Sequence, residues 1–333
     1  MGKIKLDGFT GLLLLVVALA SVLPCRGAAA TAFAIATKAA IVLLFFMHGA
    51  KLSREAVING LGAWRVHLVV LASSFVIFPL IGLAIALIPS QILSPQLRDG
   101  FVYLSILPST VQSSIALTAI AGGNVAAAVC GASLSNILGV FITPALAALL
   151  MPEALGGGEG RDLSSAVLDI ASTLLLPFVL GHLSRRWTAG FVDRHKQLLM
   201  RTDRGSILLV VYTAFSAAVV QGLWSRVSVA DLGAILVICA VMLAVILGLL
   251  TAVSRLSGFG KPEEIAVIFC GPQKSLASGV PMAAALFPVA QVGLIVLPLM
   301  FFHQIQLIVG AILARHYAES GAEAVTVAPG KAA

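Results

Sequence analysis

Charge is scarce in this chain: Asp, Glu, Lys and Arg make up 11% of its 333 residues, against about 25% in soluble globular domains. That deficit excludes an ordinary water-soluble domain. Cysteine is scarce too. Cys25, Cys130, Cys239 and Cys270 are dispersed, lie in or beside apolar segments and show no C-x-x-C spacing. Neither a disulfide framework nor a zinc site is indicated. Walker A, G-x-S-x-G and zinc motifs are missing from any suitable context, and no nucleophile–base pair is visible. Primary pumping, hydrolysis and intramembrane catalysis therefore lack support.

Apolar residues are abundant. They form 59% of the chain, and the mean hydropathy is +1.06. The length suits roughly ten membrane spans of about 20 residues with short loops. The net charge of +7 does not point to nucleic acid, because the cations cluster between spans, where they set orientation. Lys3 and Lys5 before the apolar run Leu12 to Leu23 could be a signal peptide. Pro24 is a poor residue before a lipoprotein cysteine, and a short first span is the better reading, because membrane segments continue to the C-terminus.

Ten segments are predicted at approximately 9–25, 30–49, 64–88, 98–121, 125–150, 164–182, 206–223, 231–254, 263–286 and 291–314, with ends good to a few residues. Ten crossings put Lys51, Arg54, Arg65, the cationic link 184–204, Arg255, Lys261 and Arg315 on one side with both termini. That side holds fifteen of 21 Lys and Arg residues, so both termini are expected in the cytoplasm. The expected location is the plasma membrane, crossed many times by the chain.

The glycine-rich stretch Pro152–Gly160 divides the spans five and five. The expected organisation is a single membrane domain over 1–333. It comprises a first repeat at 9–150, a linker at 151–163, a second repeat at 164–315 and a polar tail at 316–333. Five is odd, so halves that share a fold must be inverted. Phe78-Pro79 resembles Leu176-Pro177, although those spans are out of register. The better echo is Pro108 in span four and Pro272 in span nine, each about ten residues or roughly 15 Å into its helix, near mid-membrane.

Proline and glycine are common in membrane helices, where they often only kink. Here each proline precedes a polar cluster: Ser109, Thr110, Gln112, Ser113 and Ser114 after Pro108, and Gln273, Lys274, Ser275 and Ser278 after Gly271-Pro272. A charge at the bilayer centre costs roughly 3 kcal/mol or more, and such residues face a cavity or a partner. Broken helices offer N-terminal amides to anions and unwound carbonyls to cations. A solute site in a membrane transporter is the reading these residues favour.

At these residues the chain resembles the bile acid:sodium symporter superfamily, in its divergent SBF-like branch. The motifs that carry the likeness are Phe269-Cys-Gly-Pro-Gln-Lys-Ser-Leu-Ala-Ser-Gly-Val-Pro-Met282, Phe45-Phe-Met-His-Gly-Ala-Lys-Leu-Ser53, Tyr212-Thr-Ala-Phe-Ser216 and Gly123-Asn124 with Ser133, Ser135 and Asn136. The resemblance implies an all-α polytopic protein of ten transmembrane helices in two inverted five-helix repeats. Helices 4 and 9 would be discontinuous and crossing, and spans 3–5 and 8–10 would move against spans 1, 2, 6 and 7.

It also implies sodium sites beside the crossing, with Na+ as coupling ion and no other cofactor. Ser113 and Ser114 match the fourth-helix polar pair, Gln273 the ninth-helix glutamine and Ser74 the third-helix glutamine. Ser133 or Ser135 lies near the fifth-helix hydroxyl, with Ala132 at the directly aligned place. Phe269 stands where relatives carry an acidic ligand, and Lys274 where they carry a neutral residue. Losing an anion and gaining a cation makes a sodium site less favourable. Lys274 could replace sodium, contact an anionic substrate, titrate to give proton coupling, or cap carbonyls structurally.

The function expected is secondary active transport of a small organic anion by alternating access. An uncoupled uniporter or channel and a regulatory or scaffold protein stay open, as do the substrate and the oligomeric state. Asp169, Glu263 and Glu264 read as interfacial acids, and His48 and His303 as packing residues near span ends.

Overall fold

The computed structural model describes residues 8–51, 63–155 and 171–326. Lys3, Lys5, Arg54, Arg161, Asp169, Lys331 and most of the glycine-rich linker lie outside them. The protein is all-helical, with no strand among the described residues. Its helices are α1 (Gly8–Val22), α2 (Gly27–Lys51), α3 (Trp64–Ala86), α4 (Pro95–Ser105), α5 (Val111–Ile120), α6 (Val125–Leu150), α7 (Leu176–Arg194), α8 (Lys196–Val220), α9 (Val229–Leu256), α10 (Lys261–Cys270), α11 (Leu276–Leu286) and α12 (Val289–Thr326).

Six of these, α2, α3, α6, α8, α9 and α12, are long and apolar enough to cross a membrane. Exposed aliphatic faces, such as Leu12, Leu15 and Leu19 on α1 and Leu236, Val237 and Val241 on α9, fit contact with lipid rather than water.

Two helices break where the prolines predict. α4 ends at Ser105 and α5 starts at Val111, so residues 106–110 are unwound around Pro108. α10 ends at Cys270 and α11 starts at Leu276, so residues 271–275 are unwound around Pro272. Ser275 N–H donates to Pro108 O at 2.9 Å, so the two breaks lie against each other. Gly139 of α6 permits that packing: a Cβ there would stand 2.6 Å from the Pro108 Cβ.

The cationic link at 184–204 is helical, not a loop. α7 runs to Arg194, and only His195 separates it from α8. Arg and Lys are good helix formers, and hydropathy marks only the part of a helix that meets hydrocarbon. The seventh segment is therefore a 25-residue helix rather than a short one. The last helix likewise continues to Thr326 through residues read as a polar tail.

Helix contacts fall into two groups. α1, α2, α7 and α8 pack on one another, while α3 to α6 and α9 to α12 form the other set. α8 touches both, through α11 and α12. α2 and α7 meet backbone to backbone: a Cβ at Gly49 would overlap the Phe178 carbonyl, and one at Gly181 would overlap that of Phe46. Such small-residue contacts let membrane helices approach closely.

Candidate functional site

Unwinding a helix in a dry interior releases carbonyls and N–H groups that must find partners. All five carbonyls from Ser105 to Ser109 find one. Ser105 O and Leu107 O accept from Lys274 Nζ at 2.8 and 2.7 Å. Ile106 O accepts from Thr143 Oγ1 at 2.8 Å, and Pro108 O takes the Ser275 N–H. Ser109 O accepts from Asn136 Nδ2 at 3.0 Å. The Ser109 N–H donates to Ser135 Oγ at 3.1 Å.

The second break is held from α12. Lys274 N–H donates to Gln306 Oε1 at 2.8 Å, and Gln306 Nε2 donates back to Lys274 O at 3.0 Å. One side-chain amide thus answers both backbone groups of one residue. His303 Nδ1 lies 3.3 Å from the same carbonyl. Ser109 Oγ donates to Cys270 O at 2.6 Å, and Ser73 Oγ to Gly271 O at 3.0 Å. Gly271 packs its Cα against Leu250 and Ser73, where a Cβ would stand 2.5 Å from Leu250 Cδ1. Pro272 supplies no N–H, which ends α10 without leaving a donor to satisfy.

The predicted residues come together in two places. Ser74, Ser135, Asn136, Lys274 and Ser275 surround the contact between the breaks. Ser135 Oγ is 3.5 Å from Ser74 Oγ, and Asn136 Oδ1 accepts from Ser278 Oγ at 2.9 Å. Thr110, Gln112, Ser113 and Ser133 line a cavity of about 590 Å³, which Asn136 and Ser275 also border. Of the polar trio Ser113, Ser114 and Gln273, only two join: Ser113 Oγ donates to Gln273 Oε1 at 3.1 Å. Ser114 is buried beside Cys270, because consecutive residues on a helix diverge by about 100°. Phe269 is buried against Leu117, Ile265 and the Tyr317 ring.

The cavity lies between the two groups of helices. Thr110 to Ser113 and Ser275 to Ser278, the caps and first turns of α5 and α11, form one wall. Ser275 caps α11 by accepting the Ser278 N–H at 3.2 Å. The opposite wall carries His48, Lys51, Asp203 and Arg204 from α2 and α8. Lys51 and Asp203 form an ion pair, and the Arg204 guanidinium lies 5.3 Å from the Phe9 ring centre. Two helix N-termini, the Arg204 guanidinium and the Lys51–Asp203 ion pair thus face one cavity large enough for a small solute.

Gln306 and Thr143 were not among the residues the sequence pointed to. The signal for Gln306 was the polar run His303-Gln-Ile-Gln306 inside an apolar span. Thr143 carries no such signal. Glu264, in the first turn of α10, is buried against protein: its side chain is 6% exposed and meets Lys261 at 3.0 Å and Arg255 at 3.8 Å. Tyr317 OH also reaches it at 3.4 Å. This is an ion cluster that anchors the start of α10.

Residues 7–319 match the SBF-like CPA transporter family. A protein of Escherichia coli strain K12 named "Putative symporter YfeH" is 53% identical over 312 residues, 94% of this chain and 93% of its own length. The Pseudomonas aeruginosa protein PA2026 is 51% identical over 328 residues, 98% of each chain. Sodium/bile acid cotransporter 7-A of Xenopus laevis is 28% identical over 280 residues, 83% of this chain and 80% of its own. With its apolar helices and paired breaks, the chain is a multi-pass membrane protein that belongs to the SBF-like CPA transporter family, related to the sodium/bile acid cotransporters.

Proposed function

We propose that this protein is a secondary active transporter that carries a small organic anion by alternating access across the plasma membrane. One observation carries the reading: the N-termini of α5 and α11 open into one cavity whose far wall carries the Arg204 guanidinium beside the Lys51–Asp203 ion pair. Helix N-termini attract anions through free N–H groups and the macrodipole. The apolar lining, with Val140, Phe178, Ile207 and Leu307, suits an organic rather than an inorganic anion.

The ten-helix architecture in two inverted repeats belongs to the same reading. Each proposed repeat has a fourth span broken over five residues, with half-helices of 11 and 10 residues in one and 10 and 11 in the other. α1, α2, α7 and α8 form the unit against which the rest would move. The cavity reaches the end of α2 and the start of α8, on the side that charge assigns to the cytoplasm. The ligands proposed are Thr110, Gln112, Ser113, Ser133 and Ser275, with Ser114 and Gln273 behind them and Asn136 holding the break. The names of the relatives support a symporter; the ammonium of Lys274 at the crossing favours an uncoupled uniporter as the second reading.

The test is uptake by proteoliposomes of radiolabelled taurocholate, as an amphipathic probe, and benzenesulfonate, as a small one. Saturable uptake of either, weakened by Arg204→Ala and Gln112→Leu, is expected. An absence of saturable uptake for both, from protein that stays folded, would overturn the anion assignment. Imposed sodium or proton gradients then separate symport from uniport.

A further inference from the structure

Three backbone carbonyls converge on the Lys274 ammonium: Leu107 O at 2.7 Å, Ser105 O at 2.8 Å and Ser74 O at 3.1 Å. The Phe78 ring lies against its fourth side, 4.0 Å from Nζ to the ring centre. An ammonium has three protons, and all three are engaged. Lys274 is fully buried, and among the described residues no carboxylate pairs with it. Carbonyl dipoles and an aromatic face are what offset its desolvation.

Local sequence frees each of these oxygens. In the π-helical turn Ser73–Ile77 the Phe78 N–H bonds to Ser73 O, five residues back. In that register Ser74 O would need the N–H of residue 79, which is proline and has none. Ser105 O would meet the Ser109 N–H in a continuous helix, but that N–H goes to Ser135 Oγ. Leu107 lies inside the break. Three elements, α3, α4 and the link to α5, thus present a cage of unpaired oxygens to one point. Unwound carbonyls arranged this way bind small monovalent cations in membrane proteins.

We infer that Lys274 is a tethered cation: its ammonium fills an oxygen cage, built from Ser74, Ser105 and Leu107, that would otherwise hold a free monovalent cation of the sodium or ammonium class. The side chain starts in the second break and ends at the first, so the protein carries the ion that joins them. Folding then needs no free cation at this point. Truncating the side chain leaves three unanswered carbonyls and a vacated stem, which is a cation site. The inference deepens the transport reading, because it removes sodium from this position. Its test reads stability alone, so either can fail without the other.

The test measures thermal unfolding of the full chain in detergent for wild type, Lys274→Ala and Lys274→Met. Sodium, potassium, ammonium and methylammonium chlorides are titrated at constant ionic strength against choline chloride. Wild type should show no cation response at this position, so any shift it has should recur unchanged in Lys274→Met. Lys274→Ala should unfold several degrees lower in choline and recover, saturably, in at least one of the small cations. Lys274→Met, whose stem still fills the space, should not recover. A Lys274→Ala protein that gains no cation response beyond that of wild type, or a Lys274→Met protein that recovers as Lys274→Ala does, would overturn the inference. Should Lys274→Ala aggregate during isolation, it is prepared in parallel in ammonium and in choline. Folded recovery in ammonium alone supports the tethered cation; aggregation in both overturns it.

Discussion

The two helix breaks have the same length and the same cause, yet they are satisfied in opposite ways. The first, residues 106–110, is served by donors that reach in from elsewhere: Thr143 and Asn136 of α6 and Lys274 from the second break. The second, residues 271–275, sends its own lysine outward; Gln306 of α12 holds both backbone groups of Lys274, and Ser73 of α3 answers the Gly271 carbonyl. One break is an acceptor surface and the other supplies the donor. Matching prolines therefore do not make matching sites; the residues after each proline decide which partner the unwound backbone requires.

The contrast between the breaks can be disrupted most severely at Gln306. Gln306→Leu should orphan the buried N–H and C=O of Lys274, at about 1–3 kcal/mol for each group left unpaired. A large fall in unfolding temperature is expected, and Gln306→Glu should recover only the bond to the N–H. Wild-type stability in Gln306→Leu would mean that His303 and neighbours hold the second break without it.

Asn136→Leu comes next, because it removes both the donor to Ser109 O and the acceptor of Ser278 Oγ. A loss of about 1–3 kcal/mol is expected, with weaker anion uptake, since Ser278 and Asn136 line the cavity. Thr143→Val keeps the shape and removes only the bond to Ile106 O, and should cost about 1 kcal/mol. Unfolding curves for these two variants test whether the first break depends on α6. Ser113→Ala should change stability least, because its bond to Gln273 is only partly buried. A drop as large as that of Gln306→Leu would show that the Ser113–Gln273 contact, not the lysine, joins the breaks.

A fifth variant is a reference away from both breaks. Gly181→Ala should lower folded yield, measured by size-exclusion chromatography, because its Cβ has no space beside the Phe46 carbonyl. Backbone cannot yield there as a flexible side chain would.

Several parts of the site are legible without coordinates. Pro108 and Pro272 mark the breaks because proline cannot donate within a helix and displaces the preceding turn. Lys274 stands out because a charge amid apolar sequence needs a partner. Gln306 does not, since a neutral amide in a span is compatible with ordinary interhelical bonding. The length of α8 is underestimated from sequence, because its first turns are cationic and hydropathy does not register them. Ser113 and Ser114 read as a pair, but helical geometry sends them to different neighbours.

Sequence alone determined that this chain is a membrane-spanning bundle of helices, which two spans break, and where the unusual charge lies. Those features come from composition, apolar run length and the chemistry of proline, all of which act locally. Only the tertiary structure decided what the charge touches. The partners of Lys274 Nζ are 200, 169 and 167 residues away in the chain, and all three are backbone oxygens. Every residue carries the same carbonyl, so no side-chain pattern announces which ones will be unwound, unpaired and aimed at one point.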